Sequence, residues 1–147
     1  MSRVAAAWFV SFLFAGTPAY AQSAQTIRLT AGVHLITAEL AADDPMRMRG
    51  LMFRESLTAN HGMLFVFDTK SVQCMWMRNT LIPLSVAFIA DDGHIVNIED
   101  MQPQTEDSHC ARTPVRYALE MSQGWFAQRG LKAGAMIGGL GAGTTKH

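Results

Sequence analysis

Leu84 to Ala90, Asp91-Asp92-Gly93 and His94 to Asp100 spell a β hairpin, and no other stretch limits the fold as much. Two strand-like runs meet at a tight turn whose Asp-Gly pair supplies residues that tolerate positive φ. A turn that short forces antiparallel pairing, because parallel neighbours need a long crossover. The rest of the chain offers segments of the same kind. Thr26–Thr30, Val33–Ala41, Met63–Phe67, Val72–Met77, Val115–Met121 and a short piece around Ala135–Ile137 all read as strands, separated by turn signals such as Asn60-His61-Gly62 and Asp68-Thr69-Lys70.

Helical signals are fewer. Asp43-Asp44-Pro45 starts a helix expected to run from Pro45 to about Phe53, and Ser122 opens a second one through Trp125 and Gln128 that Gly130 would end. The expected fold is mainly β, an antiparallel β sandwich or distorted barrel with two short helices that plug an end or an edge. A parallel βαβ design lacks the alternation of strand and helix that it needs.

The first residues have the layout of a secretory signal peptide: Arg3, an apolar run from Val4 to Ala15, Pro18, and Ala19-Tyr20-Ala21 as a small-x-small cleavage site. Residues 1–21 are therefore expected to be removed, with an uncleaved anchor as the alternative; the run is too short for an ordinary membrane span. Residues 22–140 fit a single β domain, and 141–147 a disordered tail without packing groups. The chain carries 12 basic and 12 acidic residues and no dense run of either, which argues against nucleic acid. Its two cysteines, Cys74 and Cys110, would meet an oxidising compartment, where either a disulfide or two buried thiols could result.

Cys74 to Leu84 is the stretch where chemistry would sit. Apolar residues give way to Arg78, Asn79 and Thr80 before Pro83 returns the chain to apolar residues, which places polar groups at the end of a buried strand. Arg47 and Arg54 on the first helix, and Glu99 and Glu120 on strands, are further polar residues set in apolar segments. Two readings of this cluster stand: an ion pair, such as an arginine with Glu120, that locks helix to sheet, or a ligand site.

Gly-x-Ser-x-Gly, His-Glu-x-x-His, a phosphate loop and Cys-x-x-Cys are all missing, and the histidines show no close metal-ligand spacing. The ten methionines are unusual. Met75 and Met77 flank Trp76, so Cu(I) binding is one alternative and core filling the other.

Arg47-x-x-Gly50-Leu51-Met52-x-Arg54, Gly62-Met63-Leu64-Phe65, Trp76-Met77-Arg78-Asn79-Thr80 with Pro83-Leu84, and Leu119-Glu120 with Gly124 occur in this order. Together, over about Val33 to Ile137, they resemble the bacterial and archaeal domain-of-unknown-function family 192. The resemblance implies a small secreted or periplasmic domain of a β-sandwich-like fold, and no established activity. Two positions depart from the family pattern: Ser85 and Ala135 stand where many members carry acidic residues.

The expected role is that of a periplasmic, non-enzymatic binding or accessory domain for a small anionic ligand or cell-envelope component. Its site would comprise Arg47, Arg54, Asn79, Thr80 and Glu120. The alternatives are a hydrolase or transferase using Glu120 or Glu99 as acid or base, and Cu(I) binding through Met75 and Met77. No cofactor, no membrane span after cleavage and a monomeric state are expected.

Overall fold

The computed structural model describes residues 24–143. The expected signal peptide, residues 1–21, and the last four residues of the expected tail lie outside the described residues. The hairpin forms as the sequence dictates: β5 (Leu84–Ile89) and β6 (Ile95–Met101) pair antiparallel from Leu84↔Met101 onward. The other long strands are β1 (Thr26–Ala31), β2 (His34–Ala41), β3 (His61–Ser71) and β8 (Val115–Ser122), and Ile137–Gly138 forms the short β9.

These make one seven-stranded sheet in the order β6-β5-β8-β3-β2-β1-β9. The residues leading into its two edge strands meet, with His94 bridging Met136, Ile95 N donating to Ala135 O and Ile137 N to Gly93 O. The sheet is therefore a distorted barrel, closed along part of one seam. A second sheet is only β4 (Cys74–Met75) against β7 (His109–Cys110).

Three local expectations differ from the structure. The strand expected over Val72–Met77 shrinks to the two residues of β4, because β4 has only the equally short β7 to pair with. The turn expected at Asp68-Thr69-Lys70 is instead continuous strand, part of the eleven-residue β3. The second helix is a 3-10 turn, Ala127–Arg129, ended by Gly130 in the left-handed region at φ 67°. Ser122, its expected cap, ends β8 opposite Leu84.

Just before that turn, Trp125 and Phe126 are buried and meet edge to face, 5.2 Å between ring centroids, plugging the inner core. A further 3-10 helix, Leu140–Gly143, continues past the point where the tail was expected to begin.

The first helix, α1 (Asp44–Arg49), starts as its sequence predicts. The Asp43 side chain accepts from Met46 N at 2.8 Å, and Pro45 fits the first turn. It ends earlier than expected, at Gly50, whose φ of 48° admits a residue without Cβ; a Cβ there would stand 3.2 Å from the Phe65 ring. The excursion through α1 returns the chain to pair β3 parallel with β2, a single parallel pair in an otherwise antiparallel sheet.

Strand alternation gives the sheet two buried faces. One holds Leu29, Ile36, Leu64, Ile89, Leu119 and Trp125. The other holds Leu51, Phe65, Met77, Val86, Phe88 and Ala118, beneath a layer formed by α1, the residues after it and the β4–β7 pair. Residues that alternate along β3, β5 and β8 serve opposite cores, which explains why those strands are apolar almost throughout.

A cleft with an unpaired carboxyl

Between α1 and β4 the outer layer leaves a cleft of about 480 Å³ over the second face of the sheet. Gly50, Leu51 and Met52 form one wall, Gln73 to Trp76 the other, and Phe65, Phe67, Thr80 and Glu120 lie beneath. Glu120 sits mid-strand on β8 between Val86 of β5 and Met63 of β3. It is 4% exposed, and its carboxyl has no ion pair and no hydrogen bond among the described residues. Loss of hydration raises its pKa to about 8, so the carboxyl holds its proton at neutral pH.

The two arginines take other partners. Arg47 donates to the carbonyls of Ala42 at 2.8 Å and Val66 at 2.7 Å, and pairs with Asp44 and with Asp68 at 2.9 Å. Those carboxylates hold its guanidinium pKa up against the opposing effect of its own burial. Arg54 lies beyond the end of α1, past Phe53 at φ 63°, so the helical spacing that would align it with Arg47 does not apply; it pairs with Glu39 on β2. The expected ion pair between an arginine and Glu120 therefore does not form.

Of the residues expected in the site, the structure brings Arg47, Thr80 and Glu120 to the cleft and leaves Arg54 and Asn79 outside its lining. Thr80 is buried, with its hydroxyl turned to the Arg78 carbonyl at 3.4 Å. Asn79 is exposed at φ 55°, and its carbonyl accepts from Phe53 N at 2.9 Å, tying two left-handed residues together beside the cleft. Glu99 faces the same side of the sheet across Val86, is hydrogen-bonded by the Asn97 amide at 3.0 Å and does not line the cleft.

Met75 is half-buried in the cleft wall, whereas Met77 is fully buried among core side chains. The lining from Met52, Phe65, Phe67 and Trp76 was not assigned to a site from sequence, because apolar residues that face a cleft and apolar residues that fill a core look the same in a sequence. The one available signal was that three of the four lie in or beside the short motifs quoted above.

Cys74 and Cys110 stand directly opposite in the small sheet and are joined by a disulfide, which fixes the Cys74–Trp76 wall to β7. Ser85, at one of the divergent positions, donates to Asp100 Oδ1 from the neighbouring strand and accepts from Gly124 N at 2.9 Å. The carboxylate at that point thus comes from β6. Ala135, the other, lies at the seam, its carbonyl accepting from Ile95 N. A second cleft of about 370 Å³ opens beside Ser85, bordered by Asp100, Arg112 and Lys132.

A curled, seven-stranded sheet with a layered outer face, and a ligand-sized cleft set on one buried carboxyl, define a small β domain of the pocket-bearing kind. The chain belongs to the DUF192 family, described as an uncharacterized ACR, whose model matches residues 26–139. No curated protein matches it. It is similar to a Sinorhizobium meliloti protein provisionally described as a transcription regulator, at 39% identity and a TM-score of 0.72, covering 78% of this chain and 92% of that one. A protein of unknown function from Novosphingobium aromaticivorans is similar at 32% identity and a TM-score of 0.76, over 84% and 93% of the two chains.

Proposed function

We propose that this protein is a non-enzymatic small-molecule-binding or accessory domain whose ligand occupies the cleft between α1 and β4. The observation that carries this is Glu120: a buried carboxyl, without a partner among the described residues, at the floor of a 480 Å³ cleft with aromatic and thioether walls. Stability alone would favour an apolar residue there, since burying an unpaired polar group costs free energy. Methionine side chains in the wall suit ligands of varied shape, because the thioether chain adapts its rotamers.

Because both arginines of the expected anion site are neutralised by Asp44, Asp68 and Glu39, the reading moves from an arginine-held ligand to one anchored at Glu120. The Cys74–Cys110 bridge supports work in an oxidising compartment, periplasmic or secreted. The equal numbers of basic and acidic residues supply no cationic excess for binding nucleic acid.

A fragment screen by amide NMR tests the proposal. Binders should shift the amides of Leu51, Phe65, Met75 and Glu120, and Met75→Trp, which fills the cleft, should abolish those shifts. Fragments that leave these amides unmoved, or that bind Met75→Trp as well as wild type, would sink it.

The same carboxyl favours a second reading, acid–base chemistry by Glu120, since a carboxyl that stays protonated to about pH 8 is in the state a general acid needs. Turnover of a bound fragment that disappears in Glu120→Gln would establish it; binding without turnover would leave the accessory role.

A further inference from the structure

The chemistry around Glu120 also sorts the ligands that the cleft can hold. Three groups bear on the choice. The buried carboxyl of Glu120 at the cleft floor both donates and accepts while it holds its proton and becomes an anion when it loses it. The surfaces beside it include the rings of Phe65, Phe67 and Trp76 and the sulfur of Met75; the ring faces carry negative electrostatic potential, and the Arg78 guanidinium already lies over that of Trp76, 5.7 Å from its centroid. The guanidinium that reaches the cleft, Arg47, already has two carboxylates and two carbonyls as partners.

The sheet adds to this bias. In the register row Glu99, Val86, Glu120, Met63, Glu39, carboxyl groups occupy every second strand on one face. With strands about 4.8 Å apart, Glu99 and Glu39 are each roughly 10 Å from Glu120. Arg54 pairs with Glu39, and Glu99 is hydrogen-bonded by the neutral Asn97 amide.

Resting on the reading of the cleft as a small-ligand site, we propose that it takes an organic cation: an ammonium head set against Glu120, on an apolar body packed between Met52, Phe65 and Trp76. An anion would have a partner in the Glu120 carboxyl only while that group keeps its proton, and among the described residues lining the cleft the guanidinium without an ion pair is Arg49, at the exposed rim, where water screens it. A neutral ligand would gain one ordinary hydrogen bond. An ammonium gains a charge-assisted bond in a poorly hydrated site and the faces of the rings as well.

Binding is coupled to a proton. The ammonium requires ionised Glu120, and the empty cleft holds that carboxyl protonated up to about pH 8, so a bound cation displaces one proton near neutrality. Affinity for the cation then rises with pH toward about 8, by at most tenfold per unit, and levels off above it. The other charged or titratable groups around Glu120 include Asp44, Arg47 and Arg49 of α1, Asp68 of β3, Arg116 of β8, Glu39 with Arg54, Glu99, Arg78 with Glu106 over the Trp76 wall, and His109 across the small sheet from Met75.

Isothermal titration calorimetry of the oxidised protein with 2-phenylethylammonium, 2-phenylethanol and 3-phenylpropionate tests the inference, because the three share one apolar body and differ in the head. At pH 8 the ammonium should bind at least tenfold more tightly than either of the others. Glu120→Gln should remove that advantage, bringing the ammonium's affinity to that of the alcohol.

Between pH 6 and pH 8 the ammonium's affinity should rise in wild type and in His109→Gln, stay flat in Glu120→Gln, and be accompanied by release of about one proton. Should the alcohol or the carboxylate bind as tightly as the ammonium, or should Glu120→Gln leave the ammonium's affinity intact, the cation is wrong while the cleft remains a ligand site. If none of the three binds, both readings fall.

Discussion

Glu120 makes the protein's stability depend on pH in a direction opposite to that of most carboxylates. Its pKa is about 8 in the folded chain against 4.5 for an ordinary glutamate. Below about 4.5 both states carry the proton; as the pH rises from there toward about 8 the unfolded chain releases it first, so folding weakens until the folded state ionises too. The slope is at most about tenfold in the unfolding equilibrium per pH unit. Glu120→Gln removes this term. Denaturation with urea at a series of pH values should show the variant close to wild type near pH 5 and clearly more stable near pH 8, and an equal pH slope in the two proteins would show that Glu120 is not desolvated as described.

In the sequence Glu120 stands out as a polar position inside an apolar strand, and the structure sets it in β8 without the arginine partner expected for it. Asp44 and Asp68, read only as a helix start and a turn, are the groups that take Arg47. The three-residue spacing of Asp44 and Arg47 on one helix was visible and could have warned that the arginine was already matched.

Among the elements, β3 and β8 decide where Glu120 stands. Gly62 pairs with Met121, next to Glu120, and a Cβ at Gly62 would lie 2.2 Å from the Glu120 carbonyl oxygen and 2.4 Å from the Met121 sulfur. The sulfur could move aside, but the carbonyl belongs to the strand backbone. Gly62→Ala must therefore push β3 from β8, and the expected cost is about 1–3 kcal/mol in chemical denaturation, with the largest amide NMR shifts at Met63, Glu120 and Met121. A variant as stable as wild type would mean that the two strands have slack the register does not suggest.

The long strands and their hairpin were legible because alternation and an Asp-Gly turn are local signals. The ends of β4 were not, since a strand stops where its partner stops, and β7 lies 36 residues away across the disulfide. Likewise, the parallel pairing of β2 and β3 depends on how α1 and the residues after it carry the chain across the sheet, which no local pattern encodes.

At the scale of the whole molecule, one sheet carries two cores, and the layer over the second face differs from the sheet in how it is held. β3, β5 and β8 contribute to both cores, so neither face can open without the other. The β4–β7 pair is two residues long on each side; beyond it, this layer is tied by single backbone bonds such as Ala111 N to Gln73 O at 2.8 Å and Met77 N to Thr105 O at 3.0 Å, and by the Cys74–Cys110 bridge. Removing that bridge releases a closed loop from constraint in the unfolded chain, at a cost of about 2–4 kcal/mol. Its local effect should fall on the cleft wall.

Hydrogen exchange in the oxidised protein, and again after reduction or in Cys74→Ser/Cys110→Ser, separates these two consequences. Amides of Met77, Gln104 and Ala111 should lose far more protection than the global destabilisation accounts for, whereas those of β3 and β8 should fall only by the global amount. If all of them fell together, the wall of the cleft would be an inseparable part of the sheet, and the ligand site would open only when the whole molecule unfolds.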